Sequence, residues 1–140
     1  MSYLELSDVE IQQIREDPEN QDWKFISYNY VLSEEFIKEF FDRFNDSFGT
    51  LLTYQKITES FLYSIKDQII GIKWSYLSMN NLSENFIRDF EDKLYWFFIS
   101  KYQKLSKQFI VEFSDKINSY GLSLNDNLSD ELKEFCRMFV

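Results

Sequence analysis

WFFISKYQKLSKQFIVEFSDKI, residues Trp96 to Ile117, restates the phrase just before it, WSYLSMNNLSENFIRDFEDKL, residues Trp74 to Leu94. Aligned on an aliphatic residue followed by Ser or Thr, with a further apolar residue five positions on, the phrase recurs along the chain. It reads LSDVEI at Leu6, LSEEFI at Leu32, ITESFL at Ile57, LSENFI at Leu82, LSKQFI at Leu105 and, weakened, LSDELK at Leu128. The intervals are 26, 25, 25, 23 and 23 residues. A period of this length is the mark of a repeat architecture, in which each module is too small to bury its own apolar face and does so against its neighbours.

The hydroxyl residue in each phrase suits a helix start. Ser7, Ser33, Thr58, Ser83, Ser106 and Ser129 can accept a hydrogen bond from a backbone N–H that the first helical turn leaves unpaired. The aliphatic residue before the cap and the apolar residue four after it form a hydrophobic staple, as in Leu82/Ile87 and Leu105/Ile110. Acids after several caps (Glu34, Glu35, Glu59, Glu84, Asp130, Glu131) suit the positive end of the helix dipole. Apolar residues then continue at helical spacing, for example Phe109, Ile110, Phe113 and Ile117, which predicts a helix B of about 11 to 13 residues.

Between successive B helices stands a large aromatic with an aliphatic residue three later: Trp23/Ile26, Phe48/Leu51, Trp74/Leu77 and Trp96/Ile99. This predicts a shorter helix A of about two turns, so each repeat is a helical hairpin. Gly71 and Gly121 follow B segments, where a left-handed residue commonly ends a helix, and Pro18 closes the first segment. The expected fold is all-α: an α-solenoid-like array of about five stacked short hairpins in one domain over residues 1–140. Residues 1–22 form an acidic N-terminal cap with a degenerate first repeat, 23–117 the repeat core and 118–140 a C-terminal partial repeat.

The pattern W-x-x-I-S-x-Y-Q-K-L-S-x-x-F-I-x-x-F-x-D-K is carried in full by Trp96, Ile99, Ser100, Tyr102, Gln103, Lys104, Leu105, Ser106, Phe109, Ile110, Phe113, Asp115 and Lys116. It resembles a short helical repeat of proteins from giant DNA viruses that infect amoebae and algae, often present there in long tandem arrays. The resemblance covers residues 22–117. Phe48 stands where Trp is expected, Leu52 where Ser is, and Ser119 takes the last Trp position. What the resemblance implies is origin and architecture; no activity, cofactor or site residue comes with it.

Composition narrows the function. With 15 Phe and 9 Tyr against 3 Gly, 1 Pro and no Ala, turns are few, though codon composition of an A/T-rich genome accounts for part of that bias. The net charge is −9, and residues 1–22 hold seven acids and one base. Nucleic acid is therefore a disfavoured partner, because phosphate backbones bind through Lys and Arg. The single cysteine, Cys136, leaves no intramolecular disulfide, and no segment approaches the ~18 apolar residues of a membrane span, so no membrane partner is expected.

Catalysis finds little footing. The absence of His removes the commonest general base, and carboxylate pairs such as Asp89/Asp92 fall on the face opposite Phe86, Phe90 and Leu94. The segment Asn125 to Glu131 is rich in oxygen ligands but lacks the EF-hand glycine and spacing, and reads as a capping loop. Cys136 reads as a buried apolar residue. No cofactor, metal or catalytic residue is assigned.

Residues that depart from the shared repeat pattern are where a particular partner is recognised. The tyrosines do so, and Tyr28, Tyr30, Tyr54, Tyr76 and Tyr102 are the candidate partner-binding residues. The apolar C-terminal end supplies Phe135, Met138, Phe139 and Val140 as candidates for self-association into a homo-oligomer. The expected function is a non-catalytic protein-interaction module of viral origin, contacting a viral or host protein or itself in the cytoplasm of the infected host cell or in the virion. Alternatives are a virion structural component, a modulator of immunity or apoptosis that binds a host helix, and an acidic DNA-mimic decoy.

Overall fold

A computed structural model describes residues 4–138. Among them are eleven α-helices and no β-strand; one isolated parallel bridge joins Glu5 to Val31. The helices alternate in kind. Helices of type B are α1 (Asp8–Glu16), α3 (Glu34–Glu39), α5 (Glu59–Ser64), α7 (Glu84–Asp89), α9 (Lys107–Glu112) and α11 (Asp130–Cys136). Those of type A are α2 (Trp23–Asn29), α4 (Phe48–Tyr54), α6 (Lys73–Ser78), α8 (Trp96–Tyr102) and α10 (Ser119–Ser123). A lone B helix thus precedes five A–B hairpins, α10–α11 being the last.

Every anticipated cap is in place. The side chains of Ser7, Ser33, Thr58, Ser83, Ser106 and Ser129 each accept a hydrogen bond from the backbone N–H three residues on, at 3.0–3.1 Å. At α1 the cap is reciprocal, since Glu10 accepts from the Ser7 N–H at 3.0 Å. Those bonds hold the Glu10 carboxyl below its ordinary value of 4.5. A depressed folded-state pKa stabilises above the unfolded value, and that contribution is lost as pH falls through the folded one. Glu10→Gln is accordingly expected to flatten the fall in stability below about pH 4.5, as followed by urea midpoints measured across acidic pH.

The B helices are shorter than their hydrophobic period implies. Helices α3, α5, α7 and α9 each run six residues, then close at Phe40, Ile65, Phe90 and Phe113, whose φ of −107 to −118° with ψ of 15 to 27° leaves the α-helical region. The chain continues in tighter turns, regular 3-10 helix over Phe41–Phe44 and Lys66–Gln68. A 3-10 turn keeps residues i and i+3 on one side, so Phe41 and Phe44 remain buried although the α-helix has ended.

By contact the chain divides into two compact parts, Met1–Ile70 and Gly71–Val140. In the first, α2 packs on α4; in the second, α6 packs on α8 and α8 on α10. In three of the repeats the core is an indole on the phenylalanines of the following B helix. Trp23 lies 5.2 Å from Phe40, Trp74 5.2 Å from Phe90 and Trp96 5.3 Å from Phe113. The indole N–H of Trp23 donates to Pro18 O at 3.1 Å and that of Trp96 to Glu91 O at 2.9 Å. Ion pairs join consecutive B segments 24 residues apart: Arg15–Glu39, Arg88–Glu112 and Lys116–Asp92. Exposed pairs of this kind set register more than they stabilise.

Polar side chains lock neighbouring repeats together. Gln55, which caps the C-terminus of α4, donates to Ser27 O and Tyr30 O at 2.7 Å each and accepts from Leu32 N–H at 3.0 Å. Gln103 does the same for the repeat before it, donating to Ser78 O at 2.9 Å and to Asn80 O, and accepting from Leu82 N–H at 2.9 Å. Asn125 donates to Ser100 O at 2.7 Å and Gln103 O at 2.8 Å. One amide thereby satisfies the carbonyls ending the previous A helix, which would otherwise be stranded. The motif serines add a second link. Ser78 Oγ accepts from Tyr95 N–H and Ser100 Oγ from Asn118 N–H, both at 2.9 Å.

The two glycines expected at helix ends differ. Gly71 has φ +58°, the left-handed conformation expected of it. Gly121, expected to end a helix in that conformation, lies inside α10 with ordinary φ. A Cβ there would sit 2.9 Å from both Phe97 O and Ser100 Cβ, so this glycine permits the close approach of α10 to α8.

Candidate functional site

The A helix has an inner and an outer side. Counting from the motif Trp, the residues three and four on (Ile26 and Ser27, Leu77 and Ser78, Ile99 and Ser100) are buried. Those two, five or six on fall on the opposite side of the turn, and many are aromatic. On α2 these are Phe25 and Tyr28, on α4 Tyr54, on α8 Phe98 and Tyr102.

In the first part of the chain the structure brings together three of the anticipated tyrosines. The rings of Tyr28 and Tyr54, 41% and 45% exposed, lie 5.9 Å apart across α2 and α4. Phe25 joins them, 5.9 Å from Tyr28 and 6.3 Å from the half-buried Tyr30. Phe25 is itself 44% exposed and belongs to the surface, which sequence reasoning missed. Its place two residues after the motif Trp was the available signal.

In the second part, Tyr102 meets Phe98 at 6.1 Å, and Phe98 meets Tyr95 at 6.4 Å and Phe97 at 5.6 Å. Phe97 in turn stacks on Tyr120 of α10 at 6.2 Å. Lys101 Nζ stands 5.0 Å from the centre of the Tyr102 ring, a cation–π arrangement. Tyr76 is half-buried on α6. Tyr95, Phe98 and Tyr102 thus form a run along one helix, and single exposed aromatics are commonplace whereas touching sets are not.

At the C-terminal end, Phe135 is half-buried with Lys107 Nζ 4.1 Å from its ring centre, and Met138 is 80% exposed. Phe139 and Val140 lie outside the described residues. Cys136 is buried, and burial pushes its thiol above the usual value, the opposite of what a reactive thiolate needs. Among the described residues no group of three or more His, Cys, Asp or Glu is placed to hold a metal, and no helix is long and apolar enough to cross a membrane. Asp92 pairs with Lys116 at 3.7 Å, a surface contact between repeats.

The fold defines the class: an all-α protein of tandem helical hairpins. Comparisons with family models, with curated proteins and with solved structures return no match to this chain.

Proposed function

We propose that the chain is a non-catalytic interaction module that grips a protein partner through the aromatic outer side of its A helices. The observation that carries this reading is the touching, exposed pair Tyr28 and Tyr54 with Phe25 beside it. Tyrosine offers a large, rigid contact surface with a polar tip, and such residues dominate binding energy at interfaces. The residues that build the fold recur from repeat to repeat, and so do the outer aromatics Phe25, matched by Phe98, and Tyr54, matched by Tyr102, whereas Tyr28 has no counterpart and makes the surface of the first part particular. The motif resemblance supports a viral setting, with a viral or host partner in the cytoplasm of the infected cell or in the particle.

The test is a surface variant. Tyr28→Ala/Tyr54→Ala is expected to keep its helical circular dichroism and unfolding midpoint while losing about tenfold or more in affinity for the partner. That partner would be isolated from infected cells with the parent chain and re-bound as a purified protein. Undiminished affinity contradicts the assignment.

A further inference from the structure

The last hairpin keeps the repeat's backbone and discards its aromatic core. The 23-residue register that aligns Ser106 with Ser129 aligns Trp96 with Ser119, Ile110 with Lys133, Phe113 with Cys136 and Ser114 with Arg137. In the preceding repeat the Trp96 ring stacks on Phe113 at 5.3 Å, between α8 and α9. Between α10 and α11 the corresponding place is a cleft of about 210 Å³, lined by Ser119, Leu122, Ser123, Lys133, Cys136 and Arg137. The other repeats therefore show what chemistry the cleft is shaped for, since three of them fill it with an indole: Trp23, Trp74 and Trp96.

The substitutions also change its charge. Two of the six lining residues are cations, where the preceding repeat has Ile110 and Ser114; Arg137 is held in an exposed pair with Glu134 one turn back on α11, and Lys133 Nζ stands 3.5 Å from Ser123 O. We infer that this cleft receives a single aromatic side chain flanked by carboxylates, inserted by a partner protein in place of the missing tryptophan. Leu122 and Cys136 supply the apolar contact, Lys133 meets one flanking acid, and Arg137 meets the other by exchanging its exposed pair with Glu134, a pair worth little in water. The volume suits one ring and not a drug-sized molecule, which favours an anchoring side chain over a free metabolite.

The inference rests on the interaction reading, but the cleft can be probed apart from the tyrosines. The probe is the tripeptide acetyl-Asp-Trp-Asp-amide, titrated into the full chain and followed by backbone amide NMR shifts. Saturable shifts centred on Leu122, Ser123, Cys136 and Arg137, with a Kd of about 1 mM or tighter, are expected. Ser119→Trp returns the chain's own indole to the cleft and should weaken the probe by about tenfold or more. Should that variant not fold, Lys133→Gln/Arg137→Gln, which alters the rim, should weaken it by about fivefold.

Absent or scattered shifts would overturn the inference, as would equal binding by the rim variant. Binding of N-acetyltryptophan without binding of the tripeptide would assign the cleft to a small molecule instead. Probe binding that emerges only in Phe139→Ala would assign it to the chain's own terminus. Either result rejects a partner's side chain while leaving the Tyr28 and Tyr54 test untouched.

Discussion

Gln103→Leu is expected to lower the free energy of unfolding by about 4 kcal/mol, a sum over three buried groups each costing about 1–3 kcal/mol when left unsatisfied and partly relieved by relaxation. The side chain is fully buried, and leucine fills nearly the same space. What leucine cannot do is donate to Ser78 O and Asn80 O or accept from Leu82 N–H. All three belong to the repeat before, so the variant removes a link between modules with little loss of apolar packing. Against a total stability of roughly 5–15 kcal/mol this is a large fraction, visible as a fall in urea midpoint. Gln55→Leu removes the same set of bonds at a half-buried site, where water can replace part of them, and the loss should be about half as large. A change in Gln103→Leu below about 1 kcal/mol would mean that the amide is not a lock.

Phe109→Ala should cost about 4 kcal/mol, the usual range for deleting a buried phenyl ring. Its ring is fully buried, 4.6 Å from Phe113 and 6.2 Å from Trp96, with the Arg88 guanidinium 5.3 Å from its centre. The cavity left would loosen the Trp96 environment, so tryptophan fluorescence should report the same transition at lower denaturant. Phe25→Ala is the counterpart. Exposed on the outer side of α2, it should change stability by less than about 0.5 kcal/mol. The contrast separates aromatics that hold the fold from aromatics displayed on it, and a costly Phe25→Ala would return that surface to the core.

The caps were legible because the chemistry is local: a hydroxyl, and an N–H three residues later. Ser7, Ser33, Thr58, Ser83, Ser106 and Ser129 need no distant partner to do this, and all six do it. Helix length was not legible, because Phe40, Phe41 and Phe44 continue an i, i+3 pattern that an α-helix and a 3-10 turn both satisfy. No glycine or proline marks the change; beyond it Phe41 meets Phe48 of the next A helix at 5.6 Å and Phe44 meets Trp23 of the previous one at 5.2 Å, contacts a local pattern does not announce. Gly121 misled for a related reason: the need for glycine there comes from α8 and not from its own φ.

The amide locks act across about 25 residues, and nothing in a single repeat announces them. Their trace in the sequence is the tripeptide Tyr-Gln-Lys, at Tyr54-Gln55-Lys56 and again at Tyr102-Gln103-Lys104. A polar residue recurring in a motif otherwise built of caps and core was the signal that the glutamine is buried and paired. In the candidate surface Tyr28 stood out through its irregularity, while Tyr54 and Tyr102 belong to the repeated tripeptide. Phe25 and Phe98 did not stand out, because a phenylalanine in an aromatic-rich chain reads as core until the helix is built and its sides are known.

Circular dichroism of the isolated hairpin, residues 95–117, tests the central claim most directly. Helices of six or seven residues are far too short to stand alone in water, and this hairpin's locks reach to Ser78, Asn80 and Leu82 on one side and accept from Asn118 and Asn125 on the other. The peptide is expected to be largely unfolded at 25 °C, while the full chain is strongly helical and melts cooperatively. A peptide with native-like helicity and a cooperative melt of its own would show that each repeat is self-sufficient, and that neighbours are not what holds this protein together.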